Sequence, residues 1–207
     1  MFNEDSSPIV NNVTFSGNSA TNQGGGMDNV SSNPTVSNSS FAGNSAADGG
    51  GIFNLGSSPT LLNALFSGNS AGNSGGAVHN EKNSNITITD SNFTNNSAEN
   101  SGGGMHNNLQ SNPSLTNISF TNNTAAHGGG LSNINESDPS LTNVSFSTNT
   151  ATFEGGGMYN SNSSPVLTNV TFTSNQAPNL YGGGIYSWMT SNPILTGVVF
   201  KNNSALR

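Results

Sequence analysis

The 207-residue sequence predicts an all-β chain wound as a parallel solenoid of about seven to eight coils, in one domain spanning residues 1–207. Three observations carry that prediction. A unit of roughly 26 residues recurs along the whole chain. Its apolar residues alternate with Ser and Thr in short runs, which is the period of a strand and not of a helix. Asparagine and glycine return at fixed places between those runs, where each coil has to turn.

The repeat is plainest at phenylalanine, which recurs at Phe15, Phe41, Phe66, Phe93, Phe120, Phe146, Phe172 and Phe200. Three residues after each stands an asparagine: Asn18, Asn44, Asn69, Asn96, Asn123, Asn149, Asn175 and Asn203. Alanine follows two residues later, then a glycine cluster such as Gly24-Gly25-Gly26. The cluster leads into one apolar residue: Met27, Ile52, Val78, Met105, Leu131, Met158 or Ile185. Runs such as Leu115-Thr116 and Val170-Thr171-Phe172 read as strands. Three short strands and three turns fill one coil, and each coil stacks on the last at ~4.8 Å.

Three residues before each Phe lies a second column: Asn12, Asn38, Asn63, Asp90, Asn117, Asn143, Asn169 and Gly197. Asn, Asp and Gly share a tolerance for left-handed backbone, so this column predicts a tight bend with φ > 0. Stacked amides can donate and accept between coils, so the column also predicts an asparagine ladder. The unsubstituted column from Asn18 to Asn203 predicts another at the next turn. Leu115, Ile118, Phe120, Ala125 and Met105, with their equivalents, form the expected core. The glycines serve tight turns and close approach of neighbouring coils.

The F-x-x-N and G-G-[AG]-[ILVM] signatures, as in Phe93-Thr94-Asn95-Asn96 and Gly75-Gly76-Ala77-Val78, resemble the polymorphic outer membrane protein repeats of bacterial surface autotransporters. The resemblance covers essentially the whole chain. It implies a right-handed parallel β-helix of pectate-lyase-like shape, belonging to a surface or secreted passenger that serves adhesion. It also implies an extracellular or outer-surface location. The N-terminus Met1-Phe2-Asn3-Glu4-Asp5 lacks the regions of a signal peptide. The chain therefore reads either as a fragment of a larger surface protein or as one exported by another route.

Composition narrows the function. With 3 basic against 10 acidic residues and a net charge of -7, the chain cannot neutralise a phosphate backbone, which excludes nucleic acid as a partner. No apolar run approaches the ~20 residues that span a bilayer, so membrane insertion is not expected. With no cysteine, disulfides and thiolate metal sites are absent.

Catalysis has little to build on. By resemblance, lyases of this shape use clustered acids for calcium plus a catalytic Arg or Lys, and glycoside hydrolysis needs a carboxylate pair. Here the only arginine is Arg207, and Lys82 and Lys201 fall in different columns. The acids do not stack. Glu136 and Asp138 are the closest inner pair, but Asp138 precedes Pro139, as turn aspartates do. There is no G-x-S-x-G elbow and no phosphate loop. No catalytic residue, metal ligand or cofactor is expected.

The most informative surface column is the residue after each core Met or Ile: Asp28, Phe53, His79, His106, Ser132, Tyr159 and Tyr186. If Met105 points in, its neighbour points out. Aromatics on a rigid strand face can stack on sugar rings or bury against a partner. Phe53, His79, His106, Tyr159, Tyr186 and, two residues on, Trp188 are the candidate ligand-binding residues. A ladder that merely stabilises stacked strands is the alternative. His79 and His106 stand on adjacent coils without a third metal ligand, and His127 falls at a polar loop tip. Pairs such as Thr87 and Thr89, or Ser114 and Thr116, form an outward hydroxyl array, interrupted at Leu62, Val166 and Ile194.

The leading expectation is a noncatalytic adhesin or structural module that binds a glycan or a host or neighbouring surface protein. A carbohydrate-active lyase or hydrolase, an ice-binding solenoid and a filament-forming solenoid are the alternatives. Coils without polar caps also predict head-to-tail self-association.

Overall fold

A computed structural model describes residues 1–207 as one continuous parallel β-solenoid with no helix. Each strand pairs in parallel with its counterpart one repeat on, so the strands gather into lengthwise sheets, three of eight strands and one of seven. There are four such sheets, one more than the three strands per coil read from the sequence. One coil shows the order: Met105–Asn108 in sheet A, Ser114–Thr116 in sheet B, Ser119–Thr121 in sheet C and Thr124–His127 in sheet D. The additional column is sheet D, whose members are as short as Ser97–Ala98 and carry only an alanine inward. With a single small alanine as its inward residue and a register that breaks after it, the column reads from sequence as part of a turn.

The bends fall where the asparagine column placed them. Asn12, Asn38, Asn63, Asp90, Asn117, Asn143 and Asn169 have φ between 48° and 57°, and Gly197 has φ 63°. Their side chains face solvent and form a partial ladder. Asn63 Nδ2 donates to Asn38 Oδ1 at 2.9 Å and Asn117 Nδ2 to Asp90 Oδ1 at 2.8 Å, while Asn38 Nδ2 turns instead to Asn11.

The second asparagine column is continuous and mostly buried. Asn123 Nδ2 donates to Asn149 Oδ1 on the next coil at 3.0 Å and to the Phe93 carbonyl on the preceding coil at 2.9 Å. Its Oδ1 accepts both the backbone N–H and the Nδ2 of Asn96, each at 3.0 Å. The amide is thus fully used, which is what lets a polar group sit in a dry interior. The same links run from Asn18 to Asn203.

A third ladder, of Asn3, Asn29, Asn54, Asn80, Asn107, Asn133 and Asn160, runs inside sheet A at 2.7–2.9 Å and ends on Ser187 Oγ. Sequence reasoning did not assign it, although its asparagine recurs two residues after each Met or Ile. Buried serines add a fourth: Ser32 N–H donates to Ser57 Oγ, Ser57 to Ser84 and Ser84 to Ser111, each bond satisfying a turn amide one coil back.

Between the ladders lies the apolar core. Leu115, Phe120 and Met105 are fully buried, and Ile118 and Ala125 nearly so, as the column reading expected. The eight phenylalanines form one continuous stack with ring centroids 4.6–5.1 Å apart. Strand spacing sets that distance, so each ring meets its neighbours at van der Waals contact. The glycine clusters bring the turn between sheets D and A against the next coil. A Cβ on Gly103 would lie 2.4 Å from the Thr124 carbonyl oxygen and 2.5 Å from that of Gly129.

Candidate functional site

Sheet A is where the outer surface departs from a plain solvated strand. In its strands the first and third residues point into the core. The second and fourth face outward, which gives two external columns. The second-residue column holds Phe53, His79, His106, Ser132, Tyr159 and Tyr186, but it is not the open strip expected from alternation. Phe53 is 2% exposed, His79 6% and His106 3%, and Ser132 is sealed. The ends of the sheet D strands, Asp48 and Ser74 among them, overhang this column and wall it on one side. On the other side, consecutive left-handed residues Lys82-Asn83, Leu109-Gln110 and Asn135-Glu136 push the next turn outward. Alternation told which way these side chains point; it could not tell what covers them.

The result is a groove along the solenoid axis with two enlargements. One, about 470 Å³, is lined by residues that include Asp48, Asn73, His79, Glu81, His106 and Asn108. The other, about 420 Å³, lies over the left-handed corner, among Lys82, Gln110, Asn135, Glu136 and neighbours.

Within the first, the chain brings together groups that looked unrelated in sequence. His79 Nδ1 lies 3.3 Å from both Asp48 Oδ1 and the Ser74 carbonyl, and its Nε2 lies 3.2 Å from Glu81 Oε2. Asp48 also accepts from Asn73 Nδ2 at 2.9 Å and from the Ser74 N–H at 3.1 Å, and Glu81 accepts from Asn108 Nδ2 at 2.9 Å. Burial opposes charge on His79, but its two carboxylate partners overcome that and hold its pKa above the ordinary value. Burial likewise opposes charge on Asp48, and the bond and charge of His79 together with the bonds from Ser74 and Asn73 outweigh it; the Glu81 carboxylate is lowered chiefly by the same imidazole. Asp48 and Glu81 lie in different columns and do not stack, yet they meet across one histidine.

His106 is the odd member. Its ring packs edge-on against His79, centroids 4.9 Å apart, and its Nδ1 is buried with no hydrogen-bond partner. Burial, and then the neighbouring His79 charge, push its pKa well below the ordinary value, so it is neutral. The surface histidines expected here are buried ones. No group of three or more acidic or imidazole side chains is placed to hold a metal ion.

Further along the same face, the outer column becomes aromatic. Tyr159 and Tyr186 stack with centroids 5.9 Å apart, and Tyr181 joins them at 5.7 Å from Tyr186. His127 bridges Phe153 and Tyr159 at 5.6 and 5.3 Å, and its Nδ1 sits 2.6 Å from Glu154 Oε2, off the hydrogen-bonding axis. His127 is thus part of an aromatic cluster and not a free loop tip. Phe153 and Tyr181 were missed as members, because their columns are polar in most other coils. Trp188 stands half-exposed in the fourth-residue column, paired in register with Ser161.

A solenoid laddered inside by asparagine, serine and phenylalanine, and furrowed outside along one sheet, defines a repeat protein of the parallel β-helix class. The Chlamydia polymorphic membrane protein repeat matches four of its segments, residues 12–26, 63–81, 117–133 and 169–187. Each match runs from the asparagine bend through the phenylalanine to the glycine cluster, and three extend into the strand of sheet A. No curated protein and no solved structure matches the chain.

Proposed function

We propose that this chain is a noncatalytic adhesin module displayed on a bacterial outer surface, and that the grooved face of sheet A is its recognition face. The observation that carries the reading is the aromatic cluster of Phe153, Tyr159, Tyr181 and Tyr186 with Trp188. These rings lie part-exposed on a rigid strand floor, while the outward residues of sheets B and C are mainly Ser, Thr and Asn. Aromatic faces held on such a floor bind sugar rings at little conformational cost. The surface location rests on the repeat family. No helix is long and apolar enough to cross a membrane.

The noncatalytic part is supported by the one carboxylate pair the fold assembles. Glycoside hydrolysis needs one carboxyl that keeps its proton near neutrality. Asp48 and Glu81 are both shifted the other way by His79. A broad glycan panel, probed with the wild type beside the Tyr159→Ala, Tyr186→Ala double variant, tests the reading. Binding lost in a still-folded variant is the expected result; a wild type that binds no glycan refutes it.

A further inference from the structure

We infer that the recess formed by Asp48, Asn73, His79, Glu81, His106 and Asn108 is a saccharide subsite, and that it selects neutral over anionic chains. The inference rests on the adhesin reading and adds the ligand's place and chemical class. His106 is 3% exposed, lines the recess and makes no hydrogen bond, whereas the buried asparagines of this fold are satisfied by their ladders. A residue whose Nδ1 is sealed and unpartnered, at the floor of a cavity of about 470 Å³, is a group without an internal task. With Nδ1 sealed, the nitrogen left to meet a ligand is Nε2, which has no partner within the fold and in a neutral ring donates or accepts according to the tautomer.

The walls define the complement. Asp48 and Glu81 present acceptor oxygens with side chains 21% and 18% exposed, and Asn73 and Asn108 present amides. Donors and acceptors interleaved over a few ångströms on a rigid floor suit hydroxyl groups, each of which is both. A peptide fits less well. The interior strands of sheet A are paired on both sides, so no strand edge lies open along the groove for β-addition. Charge then divides the sugars. His79 is spent between the two carboxylates, and Lys82 at the rim is the only other cation among the lining groups. A sulfate, sialate or uronate entering the recess would meet two ionised carboxylates.

The test is a printed array on which each neutral oligosaccharide appears beside its sialylated and sulfated forms. It is probed with the wild type, with His106→Phe and with the Tyr159→Ala, Tyr186→Ala pair. Phenylalanine already occupies this column at Phe53, so His106→Phe suits the fold, and a melting curve verifies it. The wild type is expected to bind neutral chains at least tenfold more tightly than their anionic forms, and His106→Phe to lose tenfold or more. Titrating the strongest neutral chain into labelled protein should also shift the His106 ring nitrogen resonances, which a purely structural histidine would not show. Should His106→Phe fail to fold, Glu81→Gln carries the test, and its preference against anionic chains should shrink.

Anionic chains bound as well as neutral ones would overturn the subsite while leaving the adhesin reading intact. So would binding that the tyrosine pair abolishes and His106→Phe leaves unchanged. Absence of all glycan binding by the wild type would overturn both.

Discussion

Replacing Asn123 by alanine separates a ladder that holds the fold from one that decorates it. The side chain makes two donor bonds, to Phe93 O and Asn149 Oδ1, and accepts two from Asn96. Its loss strands the Asn96 backbone N–H and one Asn96 amide proton where no water reaches. Each stranded donor costs about 1–3 kcal/mol, so Asn123→Ala should destabilise by about 4 kcal/mol. Asn117 is the control, since it sits at φ 56° with an exposed side chain. There, alanine should cost about 1 kcal/mol, from the left-handed backbone alone, and glycine, which Gly197 already uses in this column, should fall within about 0.5 kcal/mol of wild type. Urea unfolding followed by far-ultraviolet circular dichroism reads both. The midpoints are compared at equal slope, because solenoids can unfold in parts. The double variant Asn96→Ala, Asn123→Ala should cost about 1–2 kcal/mol less than the sum of the singles, since the donor stranded by one is removed by the other. If Asn123→Ala and Asn117→Ala unfold at the same urea concentration, the internal ladder is not a stabilising element and the reasoning fails.

Other outcomes follow from the same geometry. Gly103→Ala drives a Cβ into two carbonyl oxygens and should abolish folding; Gly104→Ala brings a Cβ to 2.6 Å from the Gly130 carbonyl and 2.7 Å from the Phe120 ring, but Ala77 is accommodated at the equivalent position, so it should yield folded protein of lowered stability, and soluble yield and circular dichroism distinguish the two. Stability should fall on both sides of a maximum near pH 6.5, the ordinary histidine value, and thermal melts from pH 4.5 to 9 read it. The raised pKa of His79 gives stability that is complete below that value and fades as pH climbs through the folded pKa, so His79→Asn should flatten the alkaline limb. His106 is held neutral in the fold but protonates when unfolded, so its contribution is lost as pH drops below that value, and His106→Phe should flatten that part of the acid limb. The lowered Asp48 and Glu81 take over further down, once pH falls through the carboxylate range. Asp48→Asn should lower the His79 pKa, measured by ring nitrogen shifts; an unchanged value would mean that the 3.3 Å contact carries no charge coupling.

Most of the fold was legible because a solenoid has to satisfy the same local constraints in every coil. A left-handed bend admits Asn, Asp or Gly, and the column from Asn12 to Gly197 held to those three. A stacked ring wants an identical ring above and below it, so Phe15 to Phe200 never varied. What stayed hidden was whatever lacks a pattern of its own. Ser97–Ala98 is a strand only because Ser70 and Thr124 stand beside Ser97 at strand distance. The ladder through Asn107 is the exception, for its asparagine recurs and the alternation that points Met105 inward points Asn107 inward as well. At the candidate site, alternation gave the outward direction of His79 and His106. The lid over them comes from Asp48 and Ser74, which reach sheet A from a different strand, and no local period encodes that.

The contrast between inner and outer columns bears on where function resides. Inside, each amide must find its match one coil away at hydrogen-bond distance, so a change in one coil strands groups in the next. The columns of Asn123, Asn107 and Phe120 are accordingly almost uniform from coil to coil. On the outer face of sheet A the same positions run Asp28, Phe53, His79, His106, Ser132, Tyr159 and Tyr186, changing size and charge at nearly every step. The backbone register there is as regular as elsewhere, so the coil does not require that variety. A rigid ladder within and a freely varied column without is an arrangement in which recognition can change without refolding. Exchanging part-exposed outer residues between coils, for example Tyr186→His, should therefore leave the unfolding free energy within about 1 kcal/mol of wild type while altering which chains the groove retains on the array. A large loss of stability would show instead that the outer column belongs to the scaffold, and recognition would then have to be sought on another face.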